Sequence, residues 1–343
     1  MPAFALPSPT TVCTALALAM LMANAHAADT ASSCTATATR VAAPPRALAM
    51  AAAARHEHLL FGGQTLDPQG RLTEAGAFEA EDAMALPGVT VPWRRVLDYW
   101  RAVDTADRGL PSQVRFGALR PADRGLLKQA LNQASTARLQ GLGVGTDQGL
   151  DAAELRAATT ALDRVAVMDT PWSAAFVSWL AQQAGLGPEE FAFSEAHVDY
   201  AGAAWQAAMA ELAGRPTPYA MRACDLATTT PRTGDLVCHA RGASAELDSF
   251  ERIGAVLADR PTGGRALPMH CDVVVAVDAT GFDAVGGNVL QSVSLRRLDF
   301  APGTTRLDPS YRPDGCAATA ATESRCTERH MSRQPWSLLL QWR

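Results

Sequence analysis

Apolar residues recur at helical spacing over the first half of the chain and at strand spacing over most of the second. In "RALAMAAAARHEHLLFGG", from about residue 46, small apolar positions repeat until a glycine pair closes the segment, which predicts a helix with a glycine C-cap. In "VPWRRVLDYWRAV" (91–103), Trp93, Val96, Leu97 and Trp100 fall at i, i+3, i+4 and i+7, one apolar helix face. "PADRGLLKQALNQAS" (121–135) and "DAAELRAATTALDRVAVM" (151–168) are further helix candidates. The glycines of "GLGVGTDQG" (141–149) read as a loop. No GK[ST] follows them, so a phosphate loop is rejected.

After residue 168 the texture changes. "PWSAAFVSWL" (171–180) places Trp172, Phe176, Trp179 and Leu180 at helical spacing. Asp169 or Thr170 can cap this helix with Pro171 at its first position. Gly185 suits its C′ position, with Leu186 supplying the hydrophobic contact of a Schellman motif. Strand texture follows in "GDLVCHAR" (234–241), "HCDVVVAV" (270–277), "AVGGNVLQSVSLRRLDF" (284–300) and "PWSLLLQW" (335–342). A helical half followed by one helix and antiparallel strands predicts an α+β fold. The expected division is a helical N-terminal region over 46–165, a core over 166–300, and a C-terminal extension over 301–343 with a last strand.

Residues 11–23, "TVCTALALAMLMA", form an apolar run before the small-x-small site "AHA" (25–27). That pattern predicts a signal peptide over 1–27 and an exported, periplasmic or secreted protein. No Lys or Arg precedes the run, and a buried or disordered alanine-rich tail is the alternative. Cys13 lies inside it, and "PTTVC" is a poor lipoprotein acceptor. The run is too short to span a bilayer, so no membrane span is expected in the mature chain. Residues 28–45, rich in Ala, Thr, Ser and Pro, read as a mobile low-complexity leader.

The 343 residues carry a net charge of −5, with 48% hydrophobic and 19% charged positions. That is a globular composition with a sizeable core, and it lacks the basic footprint of a nucleic-acid binder. Of the seven cysteines, cleavage after Ala27 leaves six, an even number that permits disulfides in an exported chain. Cys316 and Cys326 are candidates for a loop staple. No metal site and no cofactor are expected, because cysteines and histidines do not cluster with zinc spacing.

Ser173 falls in the first turn of its helix, where a free backbone N–H and the positive helix end favour negative charge. A serine there needs an aligned base to become a nucleophile; otherwise it bonds locally to free backbone groups. In "SEAHVDY" (194–200), His197 and Tyr200 would share a helix face and line a groove, or belong to a surface helix capped by Ser194. Cys238 and Cys271 are cross-strand disulfide partners or buried thiols, with a nucleophilic role for Cys238 as the third alternative. His56 and His58 read as surface residues.

The order "PWSAAFVSWL", "GDLVC", "HCDVVVAV", "VGGN" resembles the cysteine amidohydrolase/peptidase fold of the NlpC and CHAP families. The resemblance implies a papain-like core in which a nucleophile helix packs on an antiparallel sheet. It places the nucleophile at Ser173, the base at His270 and the orienting residue at Asn288, with Trp172, His197, Tyr200 and Asp272 as groove candidates. Together with "SEAHVDY" and "GGNV", the segments resemble more closely the bacterial family called domain of unknown function 2272, over roughly residues 50–300. That family carries no activity with it. Asp272, two residues past His270, shares its strand face and would either compensate for the weaker asparagine or solvate a strand end. The resemblance implies an amide or ester hydrolase acting on cell-envelope peptide or glycan material. The alternatives are an inactive binding module that keeps the groove, and a structural envelope domain.

Overall fold

The computed structural model describes residues 33–81, 90–103, 170–258, 267–312 and 331–343, with single positions between 160 and 168. The helix candidate 121–135, the loop 141–149, most of 151–168, the expected signal peptide, and Cys316 and Cys326 lie outside the described residues. No helix among those described is long and apolar enough to cross a membrane.

A short helix α1 covers residues 33–40. Helix α2, Pro45–Leu60, starts on a proline that needs no N–H partner. It buries Ala47, Ala51 and Ala54 along one side, small residues that let it approach the sheet, with Met50 filling the space between. Helix α3, Pro92–Arg101, buries Trp93, Val96, Leu97 and Trp100 as their spacing predicts, and Tyr99 as well. Helix α4, Ser173–Gln183, ends in a Schellman motif. Gly185 sits at positive φ, the Leu186 N–H donates to Ala181 O, and the Gly185 N–H donates to Gln182 O. Helix α5 spans His197–Leu212 and α6 spans Phe250–Ala258.

One eight-stranded sheet carries these helices, in the order β2-β1-β7-β6-β5-β4-β8-β3. Its strands are β1 Thr65–Leu66, β2 Leu72–Glu74, β3 Met221–Asp225, β4 Leu236–Ala240, β5 Met269–Val277, β6 Gly281–Val289, β7 Ser292–Asp299 and β8 Trp336–Trp342. The pairing is antiparallel except where β1 runs parallel to β7. The fold is thus mixed α+β with one large sheet.

The faces of β5 separate two cores. Met269, Cys271, Val273 and Val275 pack with Trp172, Phe176 and Leu180 under the helices. Val274 packs on the other side with Trp336, Leu339, Phe282 and Leu298. By strand alternation His270 and Asp272 share the face of Val274.

Three expectations are corrected here. The leader is not mobile over 33–40: it is helical, and Cys34 is buried and disulfide-bonded to Cys224 across 190 residues. The C-terminal strand is no appendage to a core ending at 300. It lies between β4 and β3 with every residue buried, because its apolar residues face both cores. The segment 284–300 is not one strand: β6 turns into β7 through Asn288, Leu290 and Gln291 at positive φ, without the Asn-Gly or Asp-Gly signal that marks most tight hairpins.

Candidate functional site

Ser173 is the first residue of α4. The N-cap is Trp172, and no side chain caps the helix, so the expected start on Pro171 with Asp169 or Thr170 as cap is corrected. The reason is tertiary. The Trp172 indole is fully buried among Phe61, Tyr99 and Phe176. Its N–H donates to Glu79 Oε2 at 2.5 Å. That anchor holds Trp172 at φ −115°, ψ 7°, outside helical geometry. The first intrahelical bond runs from Phe176 N–H to Trp172 O. The N–H groups of residues 173–175 therefore have no partner within the helix.

The ring beside Ser173 belongs to His197, with Oγ and Nε2 2.7 Å apart. His197 opens α5. The lead-in to that helix is tied to α4: the Ser178 hydroxyl donates to Ser194 O and accepts from Ser194 N–H. Ser194 does not cap α5 directly; its hydroxyl accepts from Ala196 N–H and donates to Asp199. One turn on, the Tyr200 hydroxyl meets His197 Nδ1. Tyr200 is fully buried, stacks on Phe191 and accepts at its carbonyl from the Tyr219 hydroxyl. Burial, then His270, Arg241 and His239, push the His197 pKa well below the ordinary imidazole value, so the ring is neutral at pH 7.

A neutral ring has one N–H, and the surroundings select which nitrogen carries it. If Nδ1 holds the proton, the buried Tyr200 hydroxyl hydrogen has no acceptor among the described residues. If Nε2 holds it, Tyr200 donates to Nδ1, Nε2 donates to Ser173 Oγ, and the Ser173 hydrogen can turn into the adjoining cavity. Stranding a buried donor costs about 1–3 kcal/mol, roughly 5- to 150-fold. The second arrangement is favoured.

His270 does not touch Ser173 Oγ. Its Nε2–H donates to Asp272 Oδ1 at 2.7 Å, and its ring lies 5.3 Å from that of His197. The imidazole within hydrogen-bond reach of Ser173 is thus that of His197 and not that of His270, which lies on the other face of β5. Asp272 does not solvate a strand end. It is fully buried, with Arg296 Nε 2.8 Å from Oδ2. That contact is misaligned for a hydrogen bond, so it acts through charge. Burial pushes the Asp272 pKa up, but Arg296 and then His270 outweigh it, holding it at about 2. Arg296 in turn lies over Trp336. His239 pairs with His270 across β4 and β5, donates from Nδ1–H to Ala240 O, and is lowered to about 3, by burial first and His270 next.

Asn288 makes no hydrogen bond to His270; it sits at φ 55° in the β6–β7 turn. The glycines before it carry the close packing. A Cβ on Gly286 would lie 1.9 Å from Asp272 Oδ1, and one on Gly287 would lie 2.7 Å from Phe176. Cys238 and Cys271, opposed in register, form a disulfide on the helix face of the sheet. His58 is buried and bonds Gln64 O at 2.9 Å, which corrects its reading as a surface residue. Among the described residues, no group of three or more His, Cys, Asp or Glu is disposed to hold a metal ion.

Ser173 and His197 line a cavity of about 300 Å³, at the low end for small-molecule sites. Sequence reasoning missed three of its walls: Trp100 from α3, Glu195 before α5, and Arg241 after β4. Arg241 had one signal, as a charged residue ending "GDLVCHAR". Trp100 had none, since its spacing marks it only as core.

Residues 140–342 match the sequence model of a family described as an uncharacterized protein conserved in bacteria (DUF2272). The chain belongs to this family. No curated protein and no solved structure matches it. The DUF2272 match contains Ser173, His197, Arg241, His270, Asp272 and Arg296. Trp100 lies outside it, so the cavity of this DUF2272 chain is completed by its N-terminal helices.

Proposed function

We propose that this protein is an exported ligand-binding module built around the Ser173 cavity, with the Ser173 hydroxyl acting as a hydrogen-bond donor. The observation that carries this reading is the pairing of His197 with Tyr200 instead of a carboxylate. An acyl-transfer serine needs a base with a bare Nε2 and a group that stabilises the imidazolium formed. Here Tyr200 favours the opposite tautomer, and burial together with Arg241 opposes a charged ring. Fixing the wrong tautomer in a serine triad lowers kcat by about 10⁴. The order of the Ser173 helix, the β4 strand and the His270 strand supports an NlpC/CHAP-like core with oxygen in place of sulfur. Two disulfides are compatible with export to an oxidising compartment, where envelope peptide or glycan material is the accessible ligand pool.

The 2.7 Å contact between Ser173 and His197 at a helix N-terminus favours a second reading, amide or ester hydrolysis with Ser173 as nucleophile and His197 as base. A fluorophosphonate probe separates the two. The binding reading expects no adduct on Ser173. It also expects backbone resonances of 171–174, 195–197 and 267–269 to shift saturably with small polar ligands, and Ser173→Phe, which fills the cavity, to abolish those shifts. A Ser173 adduct, with ester turnover lost in Ser173→Ala, would establish the hydrolase instead.

A further inference from the structure

The geometry points to Arg241 as the group that recognises a free carboxylate on the ligand of the Ser173 cavity. The inference rests on the cavity being a binding site and names the class of ligand it takes.

Arg241 follows β4, and its backbone N–H is fixed by Pro268 O. Its side chain lines the cavity beside Ser173 and His197. The other described arginines whose side chains are most withdrawn from water each have a local use: Arg95 on Glu57, Arg222 on Glu211, Arg232 on Asp235, Arg296 on Asp272 and Arg297 on Asp278. The Arg241 guanidinium makes neither an ion pair nor a hydrogen bond among the described residues, although burial lowers its pKa. A planar fork of five donors held partly out of water matches a carboxylate in two-point contact.

A second observation points the same way. Trp100 is only 2% exposed and lines the same cavity, and its indole N–H has no acceptor among the described residues. A buried donor left unpaired is costly, and a small shift of the ring towards the cavity would let a ligand oxygen satisfy it. The Ser173 hydroxyl and the amino-terminal ends of α4 and α5 add further donors and positive potential. Leu267, Pro268 and Met269 form an apolar wall. Glu195 is the acidic residue among the described walls, so a ligand carboxylate is directed to Arg241 and away from it. A carboxylate beside an apolar group describes an N-acylated amino acid or the carboxyl end of a short peptide.

The test uses the full mature chain with paired probes, N-acetyl-leucine and N-acetyl-leucinamide in both D and L forms, followed by ¹⁵N-indole NMR and calorimetry. Trp100→Phe assigns the Trp100 signal. At least one free acid should bind ten-fold or more tightly than its amide and shift the Trp100 Nε1–H resonance. Arg241→Gln should erase the preference for acid, and Arg241→Lys should restore part of it. The Tm of both variants should hold, because the guanidinium makes no intramolecular bond. Equal binding of acid and amide, or a preference that survives Arg241→Gln, would overturn the assignment and leave the cavity as a binding site. Absence of binding by every acid overturns it as well, while ligand shifts around Ser173 with other compounds would still support the cavity.

Discussion

Tyr200 sets the hydrogen bonding of the ring beside Ser173. Its hydroxyl has His197 Nδ1 as its hydrogen-bond partner, and no carboxylate among the described residues bonds that nitrogen. Tyr200→Phe should cost about 1–3 kcal/mol of stability by leaving the ring nitrogen unpaired, read from the shift in urea midpoint. It should also release the constraint on the tautomer. A variant as stable as the parent would show that the pairing contributes nothing. Gly286 is the other decisive single residue. Its missing side chain is the space in which Asp272 Oδ1 and His270 sit. Gly286→Ala should destabilise by about 1–3 kcal/mol through overpacking, more if the Asp272 carboxylate is displaced from Arg296. A matched Gly202→Ala, on α5 with nothing within 4 Å of an added Cβ, should be neutral or better.

Elements are joined by buried polar contacts as much as by apolar ones. Glu57 of α2 is 1% exposed and takes Arg95 and the Tyr99 hydroxyl of α3. Removing one member of such a pair strands a buried charge, at about 3–5 kcal/mol. Glu57→Ala should therefore unfold at much lower urea, whereas an exposed pair such as Arg101–Asp98 should lose under about 1 kcal/mol. The helices α2, α3 and α4 were legible from apolar spacing, supported by the glycines that close α2 and α4 at Gly62, Gly63 and Gly185. The strand β5 was legible from its β-branched run, and β4 from a turn that leads into apolar residues. The strand β3 was hidden because "MRACD" carries an arginine and a cysteine, both used in contacts to α1 and α5. At the site, Ser173, His197 and Tyr200 were singled out, but the partnership of Ser173 with His197 was not. That pairing depends on Ser178 and Ser194 fastening α5 to α4, a long-range contact that no periodicity encodes. The NlpC/CHAP resemblance pointed to His270 instead.

The whole molecule is tuned around buried neutral histidines. His197 and His239 are held below the ordinary imidazole pKa, mainly by burial, and His58 is lowered too. Between pH 6.5 and the lower folded values the unfolded chain binds these protons and the folded chain does not. Stability therefore falls as pH falls through this window, by up to ~1.4 kcal/mol per pH unit for each such group. Asp235 works the other way: burial, against Arg232 and backbone donors, raises it to about 7, so it favours the folded state as pH drops from 7 towards 4. The histidines outnumber it, and the urea midpoint should fall between pH 6.5 and pH 5; a flat or rising midpoint would contradict the neutral rings. Reducing the Cys34–Cys224 bond should weaken the fold further, by about 5 kcal/mol for a loop of that span, visible as a lower Tm in reductant. Stability data report all the rings together, while ring ¹⁵N NMR reads His197 alone. At pH 7 His197 should be neutral, with its proton on Nε2 and with Nδ1 bare, accepting from Tyr200. A proton on Nδ1 with Nε2 bare towards Ser173 would contradict this and restore the case for a catalytic serine; a doubly protonated ring would contradict the neutral His197 without supplying a base.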